Sequence, residues 1–376
     1  MDFAATVVTP PYVAKPLALA PFQGMMLSPA RVGDPASARA FARPYRSVAG
    51  RLAEWERRGH VSQDVTPALY LHEYTAGGLT VRGIVGTLDL SRRATVLDDR
   101  AVWPHEGIHP VQVDELADRM LEMEMNPAPI LLVHDGPTEV RDLVRRLVTT
   151  TPYRAFSDRA GQQQRLWRID TPADVALVND QLADASVLIA DGHHRYAAYL
   201  RLQHQHPGTG WDSGLAMLVD QGDTGLFLGA IHRTLRGVGL DDLLAAARAA
   251  GATTRSLQAG TALIALAPAT LTATDGDAWS AIDVPDRGLL PVEWLHRDLV
   301  PTLPSPQVAY HHSVEEALAL AGPTAVGVLL PAPDFGDVVR VINRGRLLPE
   351  KATSFQPKPS LGVLMRSLHA APVDPS

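Results

Sequence analysis

The sequence predicts an α/β protein: a mixed sheet with strand-Asp-Gly-helix units and a second, smaller α/β domain. Two short apolar runs, residues 130–134 and 187–190, each end in Asp-Gly and lead into a segment of helical periodicity. Such runs are typical of strands that are buried on both faces of a sheet. The length of 376 residues exceeds the roughly 250–300 residues that one core usually serves, which favours two domains.

The elements before the first Asp-Gly turn follow from turn residues and periodicity. Seven prolines in residues 1–45 predict an extended, turn-rich lead-in. Two β-rich runs, residues 68–75 and 79–90, flank an Ala-Gly-Gly sequence that predicts a hairpin. Further along, Thr171 and the proline after it have the spacing of an N-cap and a first helical residue. The other elements predicted in this half are helices over 47–58, 111–125, 138–148 and 193–206 and strands over 166–169, 215–219 and 226–231.

The predicted domain boundary follows residue 238. Residues 1–238 form the N-terminal α/β domain, which contains both Asp-Gly turns. Residues 239–376 form the C-terminal α/β domain, which begins with an Ala/Leu-rich helix. The remaining elements predicted there are strands over 262–266 and 325–330 and helices over 292–299 and 314–320.

The composition excludes several classes of function. Lys and Arg total 34 against 41 Asp and Glu, for a net charge of −7, so the sequence offers no basic surface for nucleic acid. The absence of cysteine excludes thiolate catalysis and Cys-ligated metal centres. No run of about 18 apolar residues predicts a membrane span. Asp2 and the early prolines argue against a signal peptide, so a cytoplasmic location is expected.

The segment His105-Glu106-Gly107-Ile108-His109 matches the H-E-x-x-H pattern of zinc proteases. That pattern needs a helix that carries both imidazoles on one face. Flanking prolines and the internal glycine oppose a helix here, so we expect the two histidines not to share a metal. Gly-rich phosphate loops and the G-x-S-x-G nucleophile elbow are also absent from the sequence.

The strongest candidate site is the segment Asp191-Gly192-His193-His194-Arg195-Tyr196. It places a carboxylate, two imidazoles and a guanidinium at a predicted strand-to-helix junction, where free amide N–H groups and the helix dipole favour an anion. Arg195 can bind a phosphate with two hydrogen bonds, and Gly192 allows the backbone to approach a ligand. Asp191 could bind Mg²⁺ or accept a proton. In the alternative, purely structural interpretation, Asp191 caps the helix and the histidines face solvent.

A second cationic segment lies near the C-terminus, at residues 351–358. Lys351, Ser354 and Lys358 lie in a stretch that two prolines keep from forming a helix. The segment could bind an anion together with the first site, or it could be a solvated basic loop.

These segments resemble an uncharacterised bacterial family, domain of unknown function 1015, over most of the chain. The matching segments are residues 67–70, 104–106, 118–119, 129–132, 166–168, 189–196, 230–233 and 351–358. The N-terminal part departs from the family pattern, because Val13 follows Pro10-Pro11-Tyr12 where the family has Asp. No role of that Asp is therefore carried over.

A shorter resemblance concerns the Asp-Gly-His-His-Arg segment alone. It is similar to the helix-start box of the ParB/sulfiredoxin fold, which holds nucleotide phosphates, and to the Asp-Gly-His box of archaeal free-serine kinases. The resemblance covers about residues 187–200. Sulfiredoxin chemistry itself is excluded, because the chain has no catalytic thiol.

Together these features predict a phosphotransferase-like enzyme that acts on a small hydroxyl metabolite, with free serine as one possibility. The expected cofactors are Mg²⁺ and a nucleotide such as ATP or ADP. Asp191, Glu106 and His194 are the candidate catalytic residues, and Asp191 is also the candidate metal ligand. The candidate phosphate-binding residues are Gly192, His193, Arg195, Lys351, Ser354 and Lys358.

Two alternatives remain open on the sequence alone. One is a non-catalytic nucleotide- or metabolite-binding regulatory protein that uses the same site. The other is a metal-dependent hydrolase that uses His105, Glu106 and His194. The phosphotransferase hypothesis further requires that Asp191 and its neighbours lie within reach of Glu106 and of Lys351 or Lys358, since a polyphosphate needs several cations and the acceptor needs a base.

Overall fold

The computed structural model describes residues 7–42 and 48–368, and it divides into two compact units. The first unit contains the chain up to Leu226 together with the segment after Gln356, and the second contains Phe227–Gln356. The predicted boundary after residue 238 differs from this division in two respects. The strand at 232–236 pairs within the second unit, and the C-terminal segment returns to the first. Long-range strand pairing of this kind leaves no local signal in the sequence.

The first unit is built around a nine-stranded mixed sheet with helices packed on it. Its strands and helices up to Leu226 are, in chain order, β1 (Leu19–Ala20), β2 (Gly24–Leu27), α1 (Pro35–Ala42), α2 (Val48–Arg57), β3 (Val61–Gln63), β4 (Leu69–Ala76), β5 (Leu79–Asp89), β6 (Val102–Trp103), α3 (Pro110–Met123), β7 (Met125–Asn126), β8 (Ile130–His134), α4 (Thr138–Val148), β9 (Arg154–Ser157), β10 (Gln163–Ile169), α5 (Pro172–Leu182), β11 (Val187–Asp191), α6 (His193–Gln205) and β12 (Ser213–Asp220).

The sheet order explains where the two Asp-Gly turns lie. The strands run β6-β11-β8-β12-β5-β4-β10-β9, with β1 also paired to β5. β8 and β12 are parallel, whereas β8 and β11 are antiparallel neighbours. The Asp-Gly turn after β8 and the one after β11 therefore lie at opposite edges of the sheet, where an edge is the side at which one set of strand ends lies.

The core of the first unit combines the predicted strands with two aromatic residues of α6. β8 is buried along its whole length, as its apolar run predicts. Tyr196 and Tyr199 of α6 are fully buried, and their hydroxyls donate to the carbonyls of Pro11 and Ala128. Buried phenols are tolerated in a core when the hydroxyl finds such a partner.

The second unit contains a six-stranded sheet in which every described pair is antiparallel, with the order β15-β17-β16-β19-β14-β18. A separate antiparallel pair joins β13 and β20. Its elements are β13 (Phe227–Ala230), β14 (His232–Arg236), α7 (Leu240–Ala249), β15 (Thr253–Leu257), β16 (Thr270–Thr274), β17 (Trp279–Asp283), α8 (Pro291–Trp294), β18 (Gln307–His311), α9 (Val314–Leu318), β19 (Ala325–Leu329), α10 (Phe335–Asn343) and β20 (Thr353–Gln356).

One strand prediction in the second unit is wrong. The apolar run at residues 262–266 forms a turn, in which the amide of Ala265 donates to the carbonyl of Thr261, and Ile264 is 83% exposed. An apolar run of this length is consistent with a strand, but periodicity alone does not decide the outcome. The strand predicted at 226–231 is confirmed as β13, which pairs with β20.

The C-terminal segment completes the first unit. Its strand β21 (Met365–Ser367) pairs with β2 and β7 in a four-stranded sheet of order β3-β2-β21-β7. Met365 is fully buried there. Within the described ranges, no helix has the length and apolar content that crossing a bilayer would require.

Because Met365 is fully buried, we predict that Met365→Ala lowers the free energy of unfolding of the first unit by about 2–5 kcal/mol. The control Leu79→Ala changes an apolar residue that is 48% exposed, and should cost less than about 0.5 kcal/mol. Urea denaturation measures both. Equal, small costs would show that the C-terminal segment is not an integral part of this unit.

Candidate functional site

The junction between β11 and α6 depends on a glycine. Gly192 is the N-cap residue of α6 and has φ +95°, a left-handed conformation that side chains disfavour. A Cβ atom at this position would also lie 2.9 Å from the Nε and Nη2 atoms of Arg195. The turn therefore favours glycine, and the missing Cβ also leaves room for the Arg195 guanidinium in its observed position. Because the N-cap residue is a glycine, it has no side chain that could accept hydrogen bonds from the first amides of the helix.

The Asp191 carboxylate forms ion pairs with two cations. Its Oδ2 atom lies 2.6 Å from Nη2 of Arg195, and its Oδ1 atom lies 2.5 Å from Nζ of Lys358. Burial acts to raise the pKa of Asp191, but the charges of Arg195 and Lys358 outweigh it, so the pKa lies below its ordinary value. Asp191 is consequently ionised at neutral pH.

The backbone next to Lys358 is fixed by hydrogen bonds from two side chains, one on β4 and one just before β10. The hydroxyl of Tyr74 on β4 donates to the carbonyl of Pro357 at 2.7 Å. The side-chain amide of Gln162 donates to the carbonyl of Lys358 at 3.1 Å. Burial, and next the charge of Asp191, raise the pKa of Tyr74, so this phenol remains a donor. Neither Tyr74 nor Gln162 was among the residues that the sequence singled out.

A cavity of about 210 Å³ adjoins the ion pairs. One part of its wall is polar and contains Asp191, Arg195 and Lys358, together with His72 and Ser360. The rest of the wall is formed by Ala128, Pro129, Leu131, Pro359, Leu361, Gly362, Val363 and Leu364. A small polar ligand with an apolar portion fits such a wall better than a wholly charged one does.

His193 and His194 face a different group of residues, and both are hydrogen-bond acceptors. The amide of His105 donates to Nε2 of His193 at 3.3 Å, and the amide of His109 donates to Nε2 of His194 at 3.0 Å. Burial, followed by the neighbouring His105, lowers the pKa of His193 to about 3. The sequence predicts His193 as a phosphate-binding residue and His194 as a catalytic residue. In the structure each uses its Nε2 lone pair to hold residues 105–109 against the start of α6.

Glu106 lies beside this histidine group. Its Oε1 atom is 3.6 Å from Nε2 of His105, and its charge acts on His193. The segment is not helical, as its prolines and glycine predict, and Ile108 forms an isolated bridge with Val8 instead. His105 packs edge-on against His193, whereas His109 stacks on His194. The two histidines of the H-E-x-x-H pattern thus have different ring partners.

Lys351 and Ser354 belong to the second unit, whereas Lys358 belongs to the first. The ammonium of Lys351 lies 4.8 Å from the ring centroid of Tyr310, a cation–π contact. The hydroxyl of Ser354 is 3.3 Å from Nδ1 of His312. Of the three residues that the sequence grouped at 351–358, only Lys358 contacts Asp191 directly.

The Asp-Gly turn at the opposite edge of the sheet is a useful comparison. There Arg141 binds Asp135 at 2.7 Å and Asp220 at 2.6 Å, and Asp220 also accepts from the amide of Gly136. The cavity at this edge has a volume of about 30 Å³, enough for about one water molecule. The same local sequence therefore borders a small cavity at one edge and a much larger one at the other.

Comparison with known proteins identifies a family and several similar folds. A family model described as "Protein of unknown function (DUF1015)" matches residues 2–288. No curated protein sequence matches the chain. The chain is similar to a free serine kinase mutant in complex with ADP, with 14% identity, 75% of this chain and 92% of the other covered, and a TM-score of 0.42.

Two further solved structures are similar at the same level. One is a conserved hypothetical protein from Pyrococcus furiosus, with 14% identity, coverage of 75% of this chain and 95% of that one, and a TM-score of 0.39. The other is SbnI with a C-terminal truncation from Staphylococcus aureus, with 12% identity, coverage of 75% and 87%, and a TM-score of 0.44. These similarities identify no residue of the site.

We predict that Lys358→Met raises the pKa of Asp191, because one of two stabilising charges is lost while burial remains. In the double variant Arg195→Met/Lys358→Met the pKa should exceed the ordinary value of about 3.9. Carboxyl ¹³C NMR titration measures both. Lys15→Met is the control.

The same ion pairs have a consequence for stability. Because the folded-state pKa of Asp191 is depressed, Asp191 contributes to the free energy of unfolding above its unfolded-state pKa. That contribution is lost as the pH falls through the folded-state pKa.

In the NMR titration, an Asp191 pKa that is identical in wild type and Lys358→Met would contradict the assigned ion pair.

Proposed function

The chain belongs to the DUF1015 family, and we propose that it is a nucleotide-dependent phosphotransferase that acts on a small hydroxyl-bearing metabolite. The proposal rests mainly on one observation. Two cations, 4 and 167 residues away from Asp191 in the chain, meet at its carboxylate beside a cavity. Because the Asp191 carboxylate is a single anion between two cations, the group has an excess of positive charge that favours an anionic ligand.

The residues around Asp191 suit a phosphate in particular. A guanidinium presents paired donors to phosphate oxygens, and an ammonium acts as a compact point charge. α6 is 13 residues long, its N-cap residue makes no side-chain cap, and its N-terminus adds a positive dipole end at the same place. Arg195 and Lys358, together with the backbone at Gly192, are the proposed phosphate-binding groups. His193, Lys351 and Ser354 are left out of this set, because none of them lines the cavity.

Phosphate binding would change the state of Asp191. If phosphate oxygens take over Arg195 and Lys358, the largest influence left on the Asp191 carboxylate is burial, which raises its pKa, whereas His193 still acts to lower it. The carboxylate would then be free to accept a proton or to bind a cation. In the phosphate-free state both of its oxygens are bound to cations.

The proposed reaction transfers the terminal phosphoryl group of the donor to the acceptor hydroxyl. The hydroxyl oxygen forms a bond to phosphorus while the bond to the leaving phosphate oxygen breaks. The hydroxyl proton passes to a carboxylate, for which Asp191 is the nearer candidate to the cavity and Glu106 the second. Because the transition state is loose, positioning and charge neutralisation would contribute most of the rate. His194 would act by holding residues 105–109.

The described residues fit a magnesium ion only if it arrives with the nucleotide. They contain no group of three or more His, Asp or Glu side chains able to hold a metal. Mg²⁺ commonly takes one or two carboxylates and completes its shell with phosphates and water, so Asp191 alone would suffice. When bound, the ion would neutralise charge on the phosphates. ATP or ADP is the proposed donor, and free serine is one candidate acceptor.

The two alternatives differ in how well the site supports them. A metal-dependent hydrolase would need His105, Glu106 and His194 on one ion, but Nε2 of His194 already accepts from the amide of His109. A non-catalytic nucleotide sensor needs only the phosphate-binding groups, and it would bind the same ligands without turnover. Assaying binding and product formation separately distinguishes the sensor from the enzyme.

We predict that Arg195→Ala weakens the binding of Mg²⁺·ADP by about tenfold to a hundredfold, since a charge-assisted contact to phosphate is lost. Arg201→Ala on the same helix is the matched control, because Arg201 pairs with Asp114 and does not line the cavity. Isothermal titration calorimetry measures the affinities. ³¹P NMR of ATP with L-serine tests for phosphoryl transfer.

Unchanged affinity in Arg195→Ala would show that the phosphate is not bound at this site. Binding without phosphorylation of any hydroxyl compound tested would favour the sensor. A wild-type protein that binds neither ATP nor ADP would refute both interpretations.

A further inference from the structure

β4 presents a row of polar side chains to one face of the main sheet. Tyr70, His72 and Tyr74 alternate with Leu69 and Leu71, and residues two apart in a strand share a face. All three polar residues are buried, and His72 is only 2% exposed. Buried polar groups normally have specific partners, so the partners of His72 indicate how it is used.

A chain of hydrogen bonds determines which nitrogen of His72 carries the proton. The side-chain amide nitrogen of Gln164 donates to Oδ2 of Asp158 at 2.9 Å and to Oε1 of Gln162 at 3.2 Å. The amide oxygen of Gln164 therefore points to His72, whose Nε2 atom lies 2.7 Å away. An oxygen can only accept, so Nε2 of His72 must donate. Its Nδ1 atom is left with a lone pair.

The Asp158 carboxylate at the start of this chain is itself well anchored. Its Oδ1 atom accepts from the amides of Ala160 and Gln162, each at 2.9 Å. The orientation of the Gln164 amide thus rests on a fixed carboxylate rather than on a mobile side chain. This rigidity carries through to the imidazole of His72.

His72 also remains neutral. Burial lowers its pKa to about 4, although the bond to Gln164 acts in the opposite direction. No described residue makes a hydrogen bond with its Nδ1 atom. His72 lines the same cavity as Asp191, Arg195 and Lys358. In this wall, His72 is a neutral group that can accept a hydrogen bond but cannot attract an anion.

We propose that His72 recognises the hydroxyl group of the acceptor by accepting its hydrogen bond at Nδ1. This inference rests on the proposed function and adds a determinant of specificity to it. The cations bind the phosphate-bearing part of the ligands, and His72 selects a ligand that carries a hydrogen-bond donor. A compound without that donor would leave a buried acceptor unpaired, which sites of this kind reject strongly.

His134 provides a matched control for His72. It is also a buried histidine of the main sheet, it is 5% exposed, and burial lowers its pKa to about 4 as well. It lies at the other edge of the sheet, at the 30 Å³ cavity beside Arg141 and Asp220. The substitutions His72→Phe and His134→Phe therefore remove equivalent rings, but only the first changes the large cavity.

The test measures the binding of two pairs of probes to the full chain in the presence of Mg²⁺·ADP. The pairs are L-serine with L-alanine and glycerol with 1,2-propanediol, and the members of each pair differ by one hydroxyl. We expect wild type and His134→Phe to prefer the hydroxyl-rich member of at least one pair by about tenfold or more. In His72→Phe the preference should fall to within about threefold.

A preference for the hydroxyl-rich probe that survives in His72→Phe would overturn the inference. The absence of this preference in a wild-type protein that binds Mg²⁺·ADP would also overturn it. Both results leave the phosphate site intact. Failure of Mg²⁺·ADP to bind the wild type would refute the proposed function itself, so the two failures are distinguishable.

Imidazole ¹⁵N NMR of the wild type adds a test that needs no variant. We expect His72 to be neutral and protonated at Nε2 from pH 7 to pH 5, and its Nδ1 resonance to shift when the preferred probe is added. Protonation at Nδ1, or an Nδ1 resonance that no probe shifts, would refute the assignment even if His72→Phe failed to fold.

Discussion

The site depends on the Asp191 carboxylate, which is bound by Arg195 on one side and by Lys358 on the other. Arg195 reaches it because Gly192 leaves space for the guanidinium. Lys358 reaches it because the C-terminal segment returns to the first unit, where hydrogen bonds from Tyr74 and Gln162 fix the backbone. The same segment supplies much of the cavity wall. Ion pairing and cavity formation therefore share one structural cause.

The sequence predicted what depends on local chemistry. The strand at 130–134, the helix at 138–148 and the strand-Gly-helix junction at 191–193 follow from apolar periodicity and glycine placement, and the structure confirms them. The sequence predicts only that Lys351 or Lys358 lies within reach of Asp191; it does not predict the ion pair with Lys358, which joins residues 167 positions apart. Local rules carry no information about which distant segment returns to a strand end.

The role of His72 is hidden in the sequence for a related reason. The alternation of Leu, Tyr, Leu, His and Glu before Tyr74 predicts a strand, but it does not show which face borders a cavity. The roles of His193 and His194 are equally hidden in the sequence, where two imidazoles at the start of α6 favour phosphate binding and catalysis. Their Nε2 atoms accept from the amides of His105 and His109, which come from another part of the chain. Tautomer and charge are properties of the assembled site.

The two Asp-Gly turns show how charge balance, rather than local sequence, separates a structural turn from a candidate ligand site. After β8, two carboxylates share the single guanidinium of Arg141, so the group has excess negative charge and encloses little space. After β11, two cations share the single carboxylate of Asp191 beside a cavity about seven times larger. An anion would increase the repulsion at the first turn and complete the neutralisation at the second. Phosphate recognition is therefore expected only where the C-terminal segment contributes its lysine.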